Sequence, residues 1–277
     1  MAVLDLDLDP DLPMLGAAFE GLGVKSEVIS WDASVDWGVF DLVVIRSTWD
    51  YVNRRDEFLA WAERVGPHLH NPAAIVRWNT DKQYLIELAA AGVPVVPTIF
   101  LRPGDPIEIP DLPELVIKPA ISAGARDTER HQDVDAARRH VAMLLEQERT
   151  VMVQAYINAV EEHGETGLIF FDGEFSHAIR KGPILIGKRQ VAGGLSALFA
   201  PEAIEPRTPS QAELVVADQV MAAAVPAGSL LYARVDLVPG PDGPRLLELE
   251  LTEPSLFLDE LTAAHFARAT LARASGG

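Results

Sequence analysis

The chain has 277 residues with 41 acidic and 23 basic side chains, so its formal net charge is −18. This length suits one large domain or two modest domains that share a cleft, and the acidic excess argues against a general nucleic-acid binder, because phosphate backbones attract basic surfaces. The lack of cysteine excludes disulfides and cysteine-ligated zinc. No apolar stretch is long enough to span a bilayer and no signal peptide follows Met1, so the sequence predicts a cytoplasmic enzyme without membrane partners.

The first third of the chain alternates short apolar runs with helical patterns, which predicts a small, mostly parallel open sheet. Strands are predicted over 25–31 and 40–45, and helices over 12–22 and 56–65. Residues 3–9 alternate apolar and acidic side chains, which would make a poor central strand. We therefore expect a loop there, with a more apolar first strand lost or truncated upstream.

The rest of the chain predicts a continuation of the parallel domain that leads into a mostly antiparallel α+β domain, with a cleft between the two. A helix predicted over 79–91 ends at Gly92, because glycine commonly follows the last helical residue. The remaining helices are predicted over 133–148 and 210–224, and the strands over 93–101, 115–118, 151–157, 166–171, 175–180, 230–238 and 245–251.

The last two predicted strands form a hairpin with an unusually acidic face. If the hairpin turns at Asp242, Asp236 faces Glu248 and Arg234 faces Glu250. All four side chains then share one face, because strand residues two apart point the same way. Carboxylates about 5 Å apart repel unless a cation lies between them, and oxygen ligands without His or Cys suit Mg²⁺ or Mn²⁺. The alternative is a solvated polar face in which Arg234 neutralises one acid.

Two lysines are candidates for binding a polyphosphate. Lys118 ends an apolar strand beside a loop of small residues, 121–126, in which Gly124 permits close approach of backbone N–H groups to phosphate oxygens. Lys82 is expected at a helix start, where the helix dipole disfavours a cation, so a function is more plausible than usual. The alternative for each is an exposed surface lysine. The P-loop, protein-kinase and Rossmann dinucleotide motifs are all incomplete.

A series of segments over residues 75–255 resembles the ATP-grasp ligases of the glutathione-synthetase and RimK-like group. Their order and spacing carry the resemblance, since no single motif is specific. The segments are Asn79–Lys82, Leu115–Pro119 with the loop that follows, Met152–Ile157, Gly164–Gly173, Ala178–Lys181, 192–194, Arg234–Asp236 and Glu248–Ser255.

This resemblance implies the fold class α/β plus α+β, an ATP-grasp fold preceded by an N-terminal open parallel-sheet domain. The implied division is an N-terminal substrate-side domain over 1–73, a small lid subdomain over 74–154, and a C-terminal subdomain with a metal-binding antiparallel sheet over 155–277.

The resemblance also implies the cofactors, which are ATP and two Mg²⁺ ions, with Mn²⁺ as an alternative. Asp236, Glu248 and Glu250 are the implied metal ligands. Glu250 departs from the asparagine usual in the family, because it keeps an oxygen ligand but adds a charge. The implied nucleotide-binding residues are Lys82, Lys118, Ser122, Gly124, Gln154, Ala155, Tyr156, Ile157, Glu161, Glu162 and Glu165.

Ligases of this family transfer the γ-phosphoryl group of ATP to a carboxylate, and an amine then attacks the resulting acylphosphate. Such a transfer depends on positioning and charge neutralisation more than on a protein nucleophile. The implied catalytic residues are therefore Lys118, Arg180 and Arg234. Because an acylphosphate hydrolyses readily, the loop over 122–126 is expected to close and exclude water.

The segment after the strand predicted over 40–45 is the candidate substrate wall, because ligands of open α/β sheets lie beyond the carboxyl ends of the strands. Arg46 can bind a carboxylate through two of its nitrogens. The alternative is that Trp49 and Tyr51 pack in the core while Arg46 is an ion-pair partner. The candidate substrate-binding residues are Arg46, Ser47, Thr48, Asp50, Tyr51, Glu253 and Ser255.

The segments over 46–51 and 251–257 resemble in particular the branch of the family that closes O-ureido-D-serine to D-cycloserine. That likeness implies a small amino-acid substrate and an intramolecular version of the chemistry, with the amine tethered to the activated carboxyl. Two alternatives are an intermolecular peptide or glutamate-adding ligase and a non-catalytic nucleotide-binding regulator. Retention of both lysines and all three carboxylates argues against the regulator. A homodimer is expected because such ligases are often dimeric.

Overall fold

The computed structural model describes residues 9–183, 185, 203–224 and 230–275. The predicted loop over 3–9 except its last residue, the proposed lost strand and the segment over 192–194 lie outside the described residues. The described strands form three sheets, of two, four and five strands. Within the described ranges, no helix combines the length and apolar character needed to cross a membrane.

From residue 9 onward, the N-terminal part contains α1 (Asp11–Gly21), β1 (Val43–Val44), α2 (Arg55–Val65) and β2 (Leu69–His70), together with three short 3-10 helices. The two strands pair in parallel, and both α-helices lie where the sequence predicts them. The strand predicted over 25–31 is wrong, since residues 24–30 form no strand. Trp31 anchors this segment by packing on Phe58 with ring centroids 5.4 Å apart, while residues 25–28 stay exposed.

The helix predicted over 79–91 forms only in its later part, as α4 (Tyr84–Ala90), and a separate helix, α3 (Ala73–Asn79), ends where the predicted helix begins. Lys82 lies in the turn between them, so the helix-dipole argument for its function is wrong. The chain turns here because Asn79 is tied to the C-terminal sheet, where its Nδ2 donates to the carbonyl of Leu249 at 2.7 Å. The predicted end at Gly92 is confirmed, and this glycine has a φ of +89°.

The middle of the chain forms a four-stranded sheet covered by one helix, made of β3 (Thr98–Leu101), β4 (Leu115–Pro119), β5 (Glu129–His131), α5 (Val134–Glu146) and β6 (Val151–Ala155). The strand order is β3-β6-β4-β5, with every pair antiparallel. On one face, Ala137 and Val141 of α5 pack in a core with Leu115 and Ile117. We call this unit the lid sheet.

The C-terminal part forms an antiparallel five-stranded sheet with helices on both faces, made of α6 (Ala159–His163), β7 (Glu165–Phe171), β8 (Glu174–Lys181), β9 (Ile204–Pro206), α7 (Gln211–Ala224), β10 (Tyr232–Gly240), β11 (Gly243–Glu250) and α8 (Glu260–Ser275). The strand order is β11-β10-β7-β8-β9. Helices α4 and α7 pack on one face around Leu168 and Val235, while α1 and α8 pack on the other around Ile169 and Phe171.

The division of the chain at 73 and 154 stays a prediction. The lid sheet ends at Ala155, one residue past the second predicted boundary. Helix α4 lies inside the range predicted for the lid subdomain, but its Leu85 and Leu88 pack in the core of the five-stranded sheet.

Candidate active site

A cavity of about 450 Å³ lies between the lid sheet and the five-stranded sheet. Val116 and Gln154 of the lid sheet form one wall, and Leu247 and Leu249 of β11 contribute to the opposite wall. Most of the charged side chains expected at an active site point into this cavity: Lys82, Lys118, Glu165, Arg234, Glu248, Glu250 and Glu253.

The acidic hairpin has the predicted register at the site. Asp236 pairs with Glu248 and Arg234 with Glu250, and a bulge after Asp236 shifts the register by one residue only toward the turn. The Arg234 guanidinium donates to both Asp236 oxygens, at 2.9 and 3.0 Å, and to Glu250. Gly167 on the neighbouring strand leaves room for Asp236, because a Cβ at that position would lie 3.1 Å from Asp236 Oδ1.

The donor chemistry of Asp236, Glu248 and Glu250 fits a hard divalent cation, because three carboxylates share this face without His or Cys. Burial opposes ionisation of Asp236, yet Arg234 holds the pKa of its carboxyl below the ordinary value. Glu250 behaves differently. Burial, reinforced by Glu248 and Asp236, raises its pKa to about 7, so an added cation would stabilise its ionised form.

Two lysines approach the acidic face from different elements. Lys82 Nζ lies 3.1 Å from Glu248 Oε1 and donates to the carbonyl of Ser122 at 2.8 Å, which links the acids to the loop after β4. Lys118 is only 9% exposed, and burial lowers the pKa of its ammonium despite attraction by Glu248. Both predicted lysines therefore line the same cavity.

The structure corrects the predicted placement of Arg180, because Lys181 rather than Arg180 lines the cavity. Arg180 donates to the carbonyls of His163 and Glu162, each at 3.0 Å, and does not line the cavity. Side chains alternate along β8, so the next residue faces the site. Lys181 Nζ lies 3.1 Å from Glu165 and 3.2 Å from Asp236. The adjacent basic residues Arg180 and Lys181 indicate this position in the sequence, but the sequence does not show which of the two faces the cavity.

The strand end predicted to contact adenine lines the cavity from Gln154 through Ile157, as do Ser122 and Gly124 of the loop. Glu161 and Glu162 do not line the cavity, although Glu161 accepts a hydrogen bond at 3.2 Å from the hydroxyl of Tyr156, which does. Their contact with the nucleotide stays a prediction. Glu161 accepts a hydrogen bond from Arg130 at 2.7 Å outside the cavity, and Glu162 is exposed on α6.

The predicted substrate wall divides into residues inside and outside the cavity. Tyr51, Glu253 and Ser255 line it, together with Trp49, which was assigned no binding role. Four predicted residues are corrected, because they are buried or bonded behind the wall: Arg46, Ser47, Thr48 and Asp50.

Arg46 is the clearest of these corrections. Its guanidinium is 1% exposed and donates to the carbonyl of Pro254 at 3.0 Å and to Asp11 at 3.1 Å. Ser47 donates to Asp9 beside it, and Asp50 accepts from the indole of Trp31 at 3.0 Å. Arg46 therefore holds the N-terminal segment against the loop after β11, as the ion-pair alternative had it.

Glu253 is a second cavity carboxyl with a raised pKa. Burial, reinforced by the charge of Glu250, raises its pKa to about 8. The Tyr51 phenol interacts with this carboxyl, and burial raises the pKa of the phenol well above its ordinary value. Glu253 is therefore largely protonated at neutral pH in this structure, and a cationic ligand beside it would ionise it.

Comparison with known proteins agrees with this geometry. The family described as "D-cycloserine synthetase DcsG, N-terminal domain" matches residues 1–71. The cycloserine biosynthesis protein DcsG of Streptomyces lavendulae is 40% identical over an alignment of 291 positions, which covers 98% of this chain and 96% of that protein. The chain belongs to the DcsG family of ATP-grasp ligases.

Solved structures agree with the assignment to the DcsG family. The crystal structure of D-cycloserine synthetase DcsG matches with a TM-score of 0.85 and 38% identity, over 98% of this chain and 97% of that one. A RimK-domain ATP-grasp protein from Sphaerobacter thermophilus matches with a TM-score of 0.68 and 19% identity, over 98% of both chains, and shows the shared fold. The predicted family resemblance, ATP-grasp fold and ATP-dependent ligase activity are confirmed.

Proposed function

We propose that this ligase closes O-ureido-D-serine to D-cycloserine, with ATP and Mg²⁺. The observation that carries the proposal is a single cavity in which Lys82, Lys118 and Lys181 face the acidic hairpin, with Tyr51 and Glu253 on the wall beside it. Three ammonium groups suit a polyphosphate, and the neighbouring polar wall suits a small amino acid. Membership of the DcsG family supports this substrate.

The nucleotide is assigned to the lid-sheet side of the cavity. Gln154 to Ile157 would follow the adenine edge, and the three lysines would neutralise the phosphates. Asp236, Glu248 and Glu250 would hold the cations, for which two Mg²⁺ are proposed and Mn²⁺ is an alternative. Bound cations would supply charge neutralisation on the phosphates during transfer.

The substrate is assigned to the wall formed by Tyr51, Glu253 and Ser255. The substrate carboxylate would take the γ-phosphoryl group of ATP and release ADP, and the oxygen-bound nitrogen of the ureido group would attack the acyl carbon and release phosphate. Hydrolytic loss of the carbamoyl group from that nitrogen, as ammonia and carbon dioxide, would complete D-cycloserine. Arg234 lies between the metal-binding hairpin and the substrate wall, because its guanidinium contacts Asp236 and also donates to the carbonyl of Ser255 at 2.9 Å. It is therefore placed to offset charge on the transferred group.

Release of ADP and formation of D-cycloserine test this proposal together. The enzyme is incubated with ATP, Mg²⁺ and O-ureido-D-serine, and ADP is followed by a coupled assay while the ring product is identified by mass spectrometry. We expect one ADP per D-cycloserine without any added amine. Lys181→Met should lower kcat/KM by about 10²- to 10³-fold, the cost of removing one preorganised donor to developing charge. The matched control Lys25→Met changes a lysine whose side chain is 86% exposed and should leave kcat/KM unchanged.

The alternatives give different results in the same assay. ADP release only after addition of a second amino acid would identify an intermolecular ligase, and no ADP release with any amino acid would identify a regulator. Either result would contradict the proposal that this enzyme closes the ring within one substrate molecule. The predicted homodimer and cytoplasmic location stay predictions.

A further inference from the structure

A cluster of two imidazoles and one carboxylate lies on the lid sheet, apart from the cavity. Glu129 and His131 belong to β5 and His140 to α5. His131 Nε2 lies 3.0 Å from His140 Nδ1 and 3.6 Å from Glu129 Oε2. The three ligand atoms all lie within 4.8 Å of one another. The proposed nucleotide chemistry uses none of these residues.

Strand register shows that the cluster lies on the face of the lid sheet away from the nucleotide. Glu129 pairs with Ile117 and His131 with Leu115, and directly paired residues share a face. Those two partners pack against α5, whereas Val116 between them lines the cavity. The cluster therefore lies between β5 and α5, behind the sheet that covers the cavity.

The distances fit a tetrahedral metal. With metal–nitrogen bonds of about 2.0–2.1 Å, two ligands at a tetrahedral angle lie about 3.3 Å apart. Two of the three separations between ligand atoms, 3.0 and 3.6 Å, lie close to that value, and the third is no more than 4.8 Å. The side chain of His131 is 9% exposed and that of Glu129 is 26% exposed, so solvent can reach the cluster from one side.

We propose that Glu129, His131 and His140 bind one Zn²⁺ ion that joins β5 to α5. Two imidazoles and one carboxylate form a donor set suited to zinc rather than to Mg²⁺, which prefers oxygen ligands alone. Water would occupy the fourth position. Thr128, the residue before Glu129, lines the nucleotide cavity. The ion would therefore fix the base of the loop that leads from β4 over the phosphates.

Zinc binding to the full-length chain tests the proposal. Chelator-treated protein is titrated with ZnCl₂ in excess Mg²⁺, which occupies the oxygen-only carboxylates of the acidic hairpin. Bound zinc is counted by mass spectrometry after gel filtration, and the Tm is measured with and without zinc. We expect one zinc per chain and a Tm rise of several degrees. Co²⁺ in place of zinc should give the intense visible absorption of a tetrahedral site.

His131→Gln and Glu129→Gln should each weaken zinc binding by at least about a hundredfold, since even outer partners of metal ligands contribute 10- to 100-fold. His68→Gln is the matched control, because His68 lies at the end of a short helical turn outside the cluster. If His131→Gln fails to fold, Glu129→Gln decides alone. The proposal is overturned if the wild type retains no zinc, or if the variants retain as much as His68→Gln.

Discussion

Glu253 illustrates how a single residue couples the proposed chemistry to stability. Its carboxyl lies in the cavity wall near Tyr51 and Glu250, with a pKa raised from 4.5 to about 8, first by burial. The folded protein therefore keeps this proton over a pH range in which the unfolded chain loses it. A substrate ammonium group beside the carboxyl would remove this penalty and be bound by the resulting charge.

Glu253→Gln should remove part of the pH dependence of stability. Between pH 4.5 and 8 the folded wild type holds more protons than the unfolded chain, so its free energy of unfolding falls as pH rises, by up to about 1.4 kcal/mol per pH unit from this group. Glutamine stays neutral. In urea unfolding without nucleotide or metal, the variant's stability relative to wild type should rise from pH 5 to pH 8 and then level off.

Glu146→Gln, at an exposed position near the end of α5, is the matched control and should give a curve parallel to wild type. Parallel curves for Glu253→Gln as well would contradict the raised pKa of Glu253.

Residues whose roles depend on local pattern could be predicted, and residues whose roles depend on distant partners could not. The pairing of Asp236 with Glu248 follows from strand periodicity near one turn. The role of Arg46 does not follow from the sequence, because its partner Asp11 is 35 residues away and no local pattern joins them. The role of Lys181 does not follow either, because pairing with β7 decides which side chains of β8 face the cavity, and two adjacent basic residues in the sequence do not reveal this.

Most secondary elements follow from the sequence, but their ends depend on tertiary contacts. Strands β7, β8, β10 and β11 and helices α1, α2, α5 and α7 lie where periodicity predicts them, whereas β9 and α8 are not among the predicted elements. The break between α3 and α4 instead depends on the side chain of Asn79, which bonds to β11 across 170 residues of sequence. The junction from α6 into β7 depends on a backbone conformation that few residues adopt, at Gly164.

Gly164→Ala should destabilise the protein far more than Gly23→Ala. Both glycines have a φ of +71°, but a Cβ on Gly164 would lie 2.5 Å from the Lys181 carbonyl, whereas a Cβ on Gly23 meets no atom within 4 Å. We expect losses of about 3 kcal/mol and about 1 kcal/mol, respectively, in urea unfolding. The difference between the two losses in the free energy of unfolding measures the cost of the steric clash at Gly164. Equal losses would mean that β8 moves freely away from α6.

At the scale of the whole molecule, an acidic chain concentrates cations in one place. The net charge is −18, yet three lysines and Arg234 meet in a cavity between two sheets. They come from separate stretches of the chain, around residues 82, 118, 181 and 234, so only folding brings them together. Lys82, Lys181 and Arg234 already pair with carboxylates of the same site. The folding cost therefore falls mainly on the buried ammonium of Lys118, and a bound polyphosphate would offset it.

Lys118→Met should therefore raise stability while removing nucleotide binding. Lys118 has a lowered pKa, first because of burial and then aided by repulsion from Lys82, so the folded state binds this proton less tightly than the unfolded chain does. Charged Lys118 thus weakens folding at pH 7, so methionine of similar length should raise the free energy of unfolding without nucleotide. In the wild type, Mg²⁺ and a non-hydrolysable ATP analogue at 100 times Kd should add about 2.7 kcal/mol.

Thermal and urea unfolding with and without the analogue measure both effects. Lys118→Met should show the higher stability alone and little further gain on adding the analogue with Mg²⁺, whereas the control Lys25→Met should match wild type in both conditions, since the Lys25 side chain is 86% exposed. A Lys118→Met protein that is less stable than wild type without ligand, yet gains the same increment from the analogue, would show that Lys118 supports the fold and not the phosphates. That outcome would remove the central cation from the proposed nucleotide site.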